Sequence, residues 1–335
     1  MTHIARPCLI DYSSVCPGCL SGSWRLLGRK NGYDLMECQG CGNVSASQGS
    51  DRSARSEIYE HYYEGSFETP AVTAASLERL VISLNRFRLT GRLIDIGFGE
   101  GALLNTAQRR GWICHGTEID LRALEYGSRR GWVVAGDTVR DQRFPRHGFD
   151  VVTMIELLEH VQDPERFLRT AFELLRPGGI LYLTTPNAQS LNYCLLGLQW
   201  SVFCPPDHLT IWTTRGLRAA LARAGFRCRR IRREGLNPCE IMAHLKHKNH
   251  IAAPINRQQA AVKLNAAFSS GPCQRAVKSA LNQVLSAFRA GDDIKVWASP
   301  CEEQGRSRFG FFGVNPPSRR SSRDLNLLRF ERGGY

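Results

Sequence analysis

Ile94-Asp95-Ile96-Gly97-Phe98-Gly99-Glu100-Gly101 is the stretch that decides the fold. A short apolar strand, 92–96, runs into alternate glycines, and a helical stretch, 102–110, follows at once. Glycines let a backbone approach a ligand closely, and the first turn of the next helix offers N–H groups without an intrahelical partner. The spacing is G-x-G-x-G rather than the G-x-G-x-x-G of dinucleotide folds, which argues against a nicotinamide cofactor. Outward from this turn the pattern alternates. Strand-like segments at 112–119, 132–135, 149–155, 179–184, 226–232 and 293–298 are interleaved with helical ones at 121–130, 164–175 and 214–224, the last with Thr213 or Thr214 as its N-cap. Such alternation predicts a doubly wound α/β sheet, its ligands at the C-terminal ends of the strands. Glu118 ends the second strand, 21 residues after Gly97, where a carboxylate can accept hydrogen bonds from both hydroxyls of a ribose. Asp137 follows the third strand, placed to meet an adenine edge.

Composition sets the frame around this core. The chain has 335 residues, 42% hydrophobic and 22% charged, which excludes a mostly disordered chain and fits one large domain with a smaller appendage. No apolar run approaches the ~18 residues of a membrane span, and no apolar signal segment opens the chain. A cytoplasmic protein is therefore expected. The net charge of +13 lies mainly in the C-terminal half. It reads as a solvated basic surface or as a surface for an anionic ligand, nucleic acid included.

Four of the twelve cysteines form C-x2-C-x18-C-x2-C: Cys16, Cys19, Cys38 and Cys41. Each pair sits in a glycine-containing turn, and two such turns facing each other suit tetrahedral zinc. Between them, 24–36 reads as a hairpin turning at Lys30-Asn31-Gly32. Residues 1–50 are thus expected to form a zinc ribbon, a structural staple or substrate platform. A helical linker or cap at 51–89 leads to the main domain at 90–300. Within it, 243–292 is an insertion with helical spacing at Val277, Leu281, Val284, Leu285 and Phe288. A basic flexible tail at 301–335 follows.

The motifs DIGFGEG (95–101), GTEID (116–120), GD (136–137), FDVVTMIELLEHV (149–161), LLRPGG (174–179), TTPN (184–187) and DHLTIWTTRGLRAALARAGF (207–226) resemble the class I S-adenosylmethionine-dependent methyltransferases over about 90–300. The resemblance implies a Rossmann-like α/β sheet of seven strands in the order 3-2-1-4-5-7-6, the last strand antiparallel. It places Asp95, Gly97 and Gly99 at the methionine end of S-adenosylmethionine, Glu118 at the ribose, Asp137 at the adenine, and Met154 or Ile155 beside the cofactor.

Methyl transfer from a sulfonium is an in-line displacement, so the protein chiefly aligns the nucleophile and removes its proton. Glu156-Leu157-Leu158-Glu159-His160 carries the candidate groups. In a helix, Glu156, Glu159 and His160 would share one face, a donor set suited to Mg²⁺ or Mn²⁺. Equally, Glu159 and His160 read as hydrogen-bonding residues of an ordinary post-strand loop. The full E-x-x-E-H resembles ubiquinone-pathway O-methyltransferases and RNA 3′-terminal 2′-O-methyltransferases, which implies a divalent metal, with His208 as the match for the RNA group's further histidine. Three functions compete. The favoured one is O-methylation of a small metabolite, sugar or glycan, with 202–207 and 243–292 as a lid. The second is RNA methylation, supported by the basic stretch 227–233. The third, a non-catalytic cofactor-binding scaffold, is disfavoured because no motif position is broken. No oligomeric state follows from the sequence.

Overall fold

The computed structural model describes residues 14–47, 69–136, 143–246, 280, 282–288 and 290–301. Asp137 lies outside the described residues, as do 51–68 of the expected linker, most of the 243–292 insertion and 302–335 of the tail.

The N-terminal hairpin joins β1 (Trp24–Lys30) to β2 (Tyr33–Cys38), with β3 (Val44–Ala46) added antiparallel. Asn31 and Gly32 both take positive φ, 51° and 84°, the signature of a two-residue turn whose twist matches its strands. The helix α1 (Ala71–Leu84) precedes the main sheet. Then come β4 (Arg92–Ile96), α2 (Ala102–Arg109), β5 (Ile113–Thr117), α3 (Leu121–Arg129), β6 (Val133–Ala135) and β7 (Phe149–Ile155). They are followed by α4 (Pro164–Leu174), β8 (Leu175–Pro186), α5 (Leu191–Leu196), β9 (Thr210–Ile211), α6 (Thr214–Arg223), β10 (Phe226–Glu234), α7 (Pro238–Lys246) and β11 (Asp293–Pro300).

Helix starts follow from their caps. The Asp120 carboxylate accepts from the Arg122 and Ala123 N–H groups, Asp163 does so from Arg166 with Pro164 in the first turn, and Thr213 accepts from Gly216. The main sheet runs β10-β11-β8-β7-β4-β5-β6. Read from β6, this is the class I methyltransferase order, with β11 antiparallel to both neighbours and the other pairs parallel. Alternate residues of the central strands face opposite layers, as a period of two requires. Ile94, Val152 and Leu181 pack with Leu168 and Leu217 of α4 and α6. Leu93, Val151 and Ile180 pack with Val81, Leu104 and Ala123 of α1, α2 and α3. Each fully buried aliphatic side chain of this kind contributes roughly 1.5–3 kcal/mol.

The ribbon is joined to this domain through backbone and side chains alike. The two-residue strand β9 pairs with β3, Val44 opposite Ile211 and Ser45 opposite Thr210, making a four-stranded sheet β1-β2-β3-β9. One face buries Leu35, Val44, Ala46 and Ile211 against Leu196, Trp200 and Phe203. Both cysteine turns rest on α6. Asn43 Oδ1 accepts from the Thr213 N–H at 2.9 Å, the Thr213 hydroxyl lies 2.8 Å from the Cys41 carbonyl, and Arg223 donates to the carbonyls of Pro17 and Gly18. A Cβ on Gly216 would lie 2.2 Å from Asn43 Oδ1, so only glycine lets the turn approach so closely. Asn43→Ala leaves a buried N–H without its acceptor and should cost about 2 kcal/mol. Urea unfolding of the variant should show the loss, with the ribbon becoming the first segment open to limited proteolysis.

Candidate active site

The glycine-rich turn after β4 is held from both sides. Gly97 and Gly99 adopt φ of 72° and 55°, a region that strains other residues. The Gly97 and Phe98 N–H groups donate to the Thr117 carbonyl, and the Gly99 N–H donates to Glu118 Oε2 at 2.8 Å. The other Glu118 oxygen accepts from the Ile119 N–H at 2.7 Å. A carboxylate has about four lone-pair sites, so Glu118 keeps acceptor capacity on the cavity it borders. That cavity, 650 Å³, is lined by Asp95, Gly97, Gly99, Glu118 and Ile155 among the expected cofactor residues. Thr73 and Leu77 of α1 close one side; Gln162, Arg166 and Phe167 close another. Asp95 is buried and accepts from the Thr153 hydroxyl at 2.6 Å. Burial, with a smaller contribution from the Glu118 charge, pushes its carboxyl up to about 8.

Met154 is a correction. It is fully buried in the layer beneath α4 and α6, because the strand period turns it away from the side on which Ile155 meets the cavity.

The loop after β7 departs from the helical arrangement. Residues 156–160 form a turn, and Glu156 takes φ of 49°. Its N–H donates to the Thr184 carbonyl and its Oε1 accepts from the Thr184 hydroxyl at 2.6 Å. Glu156 and His160 reach the cavity wall, but Glu156, Glu159 and His160 do not converge as one face of a helix. What converges is Glu159, His160 and His208, whose donor atoms lie within 4.8 Å of one another. Glu159 is fully buried, takes a hydrogen bond from Thr185 on Oε2 at 2.8 Å, and has no hydrogen-bond partner on Oε1. Burial, then the Glu156 charge, holds its carboxyl well above the usual range. His160 Nδ1 is 2.9 Å from Asp207 Oδ1, and its Nε2 is 3.9 Å from Glu159 Oε1. His208 Nδ1 meets the Val202 carbonyl at 2.7 Å, and burial followed by the neighbouring His160 pushes it down to about 4. Asp207, the orienting partner of His160, was not singled out in the sequence. Its signal was its place beside His208 in Asp207-His208-Leu209.

The four ribbon cysteines also converge, their sulfurs within 4.8 Å of one another, with Cys16–Cys41 at 3.5 Å and Cys19–Cys38 at 3.4 Å. Tetrahedral zinc with Zn–S near 2.3 Å spaces its sulfurs by about 3.8 Å, so the donor set suits that ion with a small outward shift. No disulfide joins the described cysteines. Among the described residues, no helix is long and apolar enough to cross a membrane.

The chain also resembles proteins that are already known. A methyltransferase-domain family model matches residues 68–231. The chain is 31% identical over 134 residues to a ubiquinone biosynthesis O-methyltransferase of Idiomarina loihiensis, covering 37% of this chain and 52% of that protein. The Yersinia pestis protein of the same name is 31% identical over 112 residues, 31% of this chain and 46% of that one. The chain thus spans about half the length of the curated relatives it matches. A methyltransferase structure from Archaeoglobus fulgidus, described as SAM-dependent, superposes with a TM-score of 0.46 at 19% identity, over 72% of this chain and 98% of the other. With a methyltransferase-domain model matched at 68–231 and a sheet in the class I strand order, the chain carries an S-adenosylmethionine-dependent methyltransferase domain of the class I fold.

Proposed function

We propose that the protein transfers the methyl group of S-adenosylmethionine to a hydroxyl oxygen of a small acceptor. The observation that carries this reading is the cavity running from Glu118 to His160, a ribose-type carboxylate at one end and an oriented imidazole at the other. Asp95 and Gly97 would meet the cationic methionine end, and Glu118 the ribose hydroxyls. His160 Nδ1 donates to the Asp207 main-chain carbonyl at 3.0 Å, which leaves Nε2 as the lone-pair nitrogen that can take the acceptor's proton. The acceptor oxygen forms its bond to the methyl carbon as the S–CH₃ bond breaks. The electron pair goes to sulfur, giving neutral S-adenosylhomocysteine, and the hydroxyl proton goes to His160 Nε2.

A second reading has a specific observation behind it, the orphaned Glu159 Oε1 beside two histidines. Glu159, His160 and His208 would hold a divalent cation such as Mg²⁺ or Mn²⁺, which lowers the pKa of a bound hydroxyl. The arginine strand lends little to an RNA acceptor. Arg229 donates to Ser299, Arg230 stacks over Trp297, Arg232 pairs with Glu234, and Arg233 donates to Thr214. The ribbon cysteines would hold a structural zinc.

Three outcomes test this. Glu118→Ala should weaken S-adenosylmethionine binding by roughly 1.5–3 kcal/mol, measured by calorimetry. Elemental analysis should find one zinc per chain, which Cys38→Ser releases. If His160 acts as the base, His160→Ala should abolish turnover, Asp207→Ala should be milder because it keeps the main-chain carbonyl that His160 meets, and brief chelation should have little effect. If a cation is held there, chelation should abolish turnover, Mg²⁺ or Mn²⁺ should restore it, and Glu159→Ala and His208→Ala should match His160→Ala while Glu156→Ala stays mild.

A further inference from the structure

Beside the cofactor cavity lies a second cleft of 350 Å³, bordered by the ribbon sheet on one side and by Val161, Gln162 and Leu209 on the other. Its volume is that of a small-molecule site, for which ~300–1,000 Å³ is ordinary. Val161 and Gln162 line both cavities, so the cleft adjoins the cofactor space at the residues directly after His160. The pleat explains its lining. With Leu35, Val44, Ala46 and Ile211 turned toward Trp200 and Phe203, the alternate residues face the other way. These are Met36, Ser45 and Thr210, opposite one another in register across β2, β3 and β9. Ser45 and Thr210 join hydroxyls at 3.1 Å. Trp24 borders the cleft and also packs against the cysteine cluster. Asp34 adds a half-exposed carboxylate, 3.7 Å from Arg29.

We propose that this cleft is the acceptor subsite and that it takes an uncharged ring bearing vicinal hydroxyls. The proposal rests on the methyltransferase reading of the adjoining cavity. Trp24 and Met36 offer an apolar platform for a ring face, whereas Asp34, Ser45, Thr210 and Gln162 offer acceptors and donors for hydroxyls at its edge. The Asp34 carboxylate at the cleft's edge favours neutral hydroxyl donors over an anion. The cleft is tied mechanically to the reacting end. The N–H groups of Leu209 and Thr210 both donate to the Glu159 carbonyl, at 2.7 and 3.2 Å. The strand that completes the ribbon sheet thereby holds the residue preceding His160. The ribbon is therefore the acceptor-side wall of the active site.

Two kinds of molecule present this chemistry, a pyranoside and a catechol, and the test separates them. The full chain, saturated with S-adenosylhomocysteine, is titrated with methyl β-D-galactopyranoside, methyl α-D-mannopyranoside and 4-methylcatechol by saturation-transfer NMR. The same titrations follow on Asp34→Ala and Ser45→Ala, and calorimetry monitors S-adenosylhomocysteine affinity throughout. At least one ring should bind the wild type, and each variant should weaken it about tenfold with S-adenosylhomocysteine affinity unchanged. The arm that binds identifies the source, pyranose or catechol. If S-adenosylhomocysteine binds and no ring does, or if both variants bind the ring as well as the wild type, the subsite is overturned and the methyltransferase reading stands. If S-adenosylhomocysteine itself fails to bind the wild type, that reading falls and the subsite falls with it.

Discussion

The Glu118 carboxylate is the interaction on which the cofactor side of the molecule depends. One oxygen holds the Gly99 N–H, and the other holds the Ile119 N–H. A single side chain thus fixes the turn after β4 relative to the entry of α3. Hydrogen bonds to an ionised carboxylate are stronger than neutral ones, so the turn is pinned wherever the carboxylate stands. Gly97 and Gly99 make that geometry reachable by taking left-handed backbone angles. The cost appears at Asp95, a buried carboxyl with the Thr153 hydroxyl as its hydrogen-bond donor. A group whose folded-state pKa is raised opposes folding increasingly as pH climbs from its unfolded value toward about 8.

A second constraint joins the two halves of the site. The chain from Leu209 to Thr213 is simultaneously an anchor for the Glu159 carbonyl, an edge strand of the ribbon sheet and the N-cap of α6. Movement of the ribbon must therefore be felt in the loop that carries His160. Asp207 and His208 precede this segment directly, which places the imidazole pair, ring centroids 4.6 Å apart, at the junction of ribbon and sheet. On the proposed reading, the ribbon is a component of the site rather than an appendage beside it.

Much of this was legible in the residues. The glycine turn, the carboxylate at the end of the second strand and the strand–helix alternation each have a local cause, and the sheet order followed from their resemblance to known motifs. The Asn31-Gly32 turn was equally local. Three features were not. β9 is two residues long and has no period to detect. Glu156 breaks the helical spacing of E-x-x-E-H because its backbone and carboxyl are both satisfied by Thr184, a residue 28 positions away whose approach only the β7–β8 pairing sets. Asp207 gains its role from a contact with His160 across 47 residues. Met154 and Ile155 could be separated only by knowing which layer each side of β7 faces.

The most direct test is a crystal structure of the full chain with S-adenosylhomocysteine. The account predicts the ribose hydroxyls on the Glu118 carboxylate, the methionine portion against Asp95 and Gly97, and the sulfur facing His160 with the ribbon cleft open beside it. A ligand bound elsewhere, or a ribose out of reach of Glu118, would contradict it.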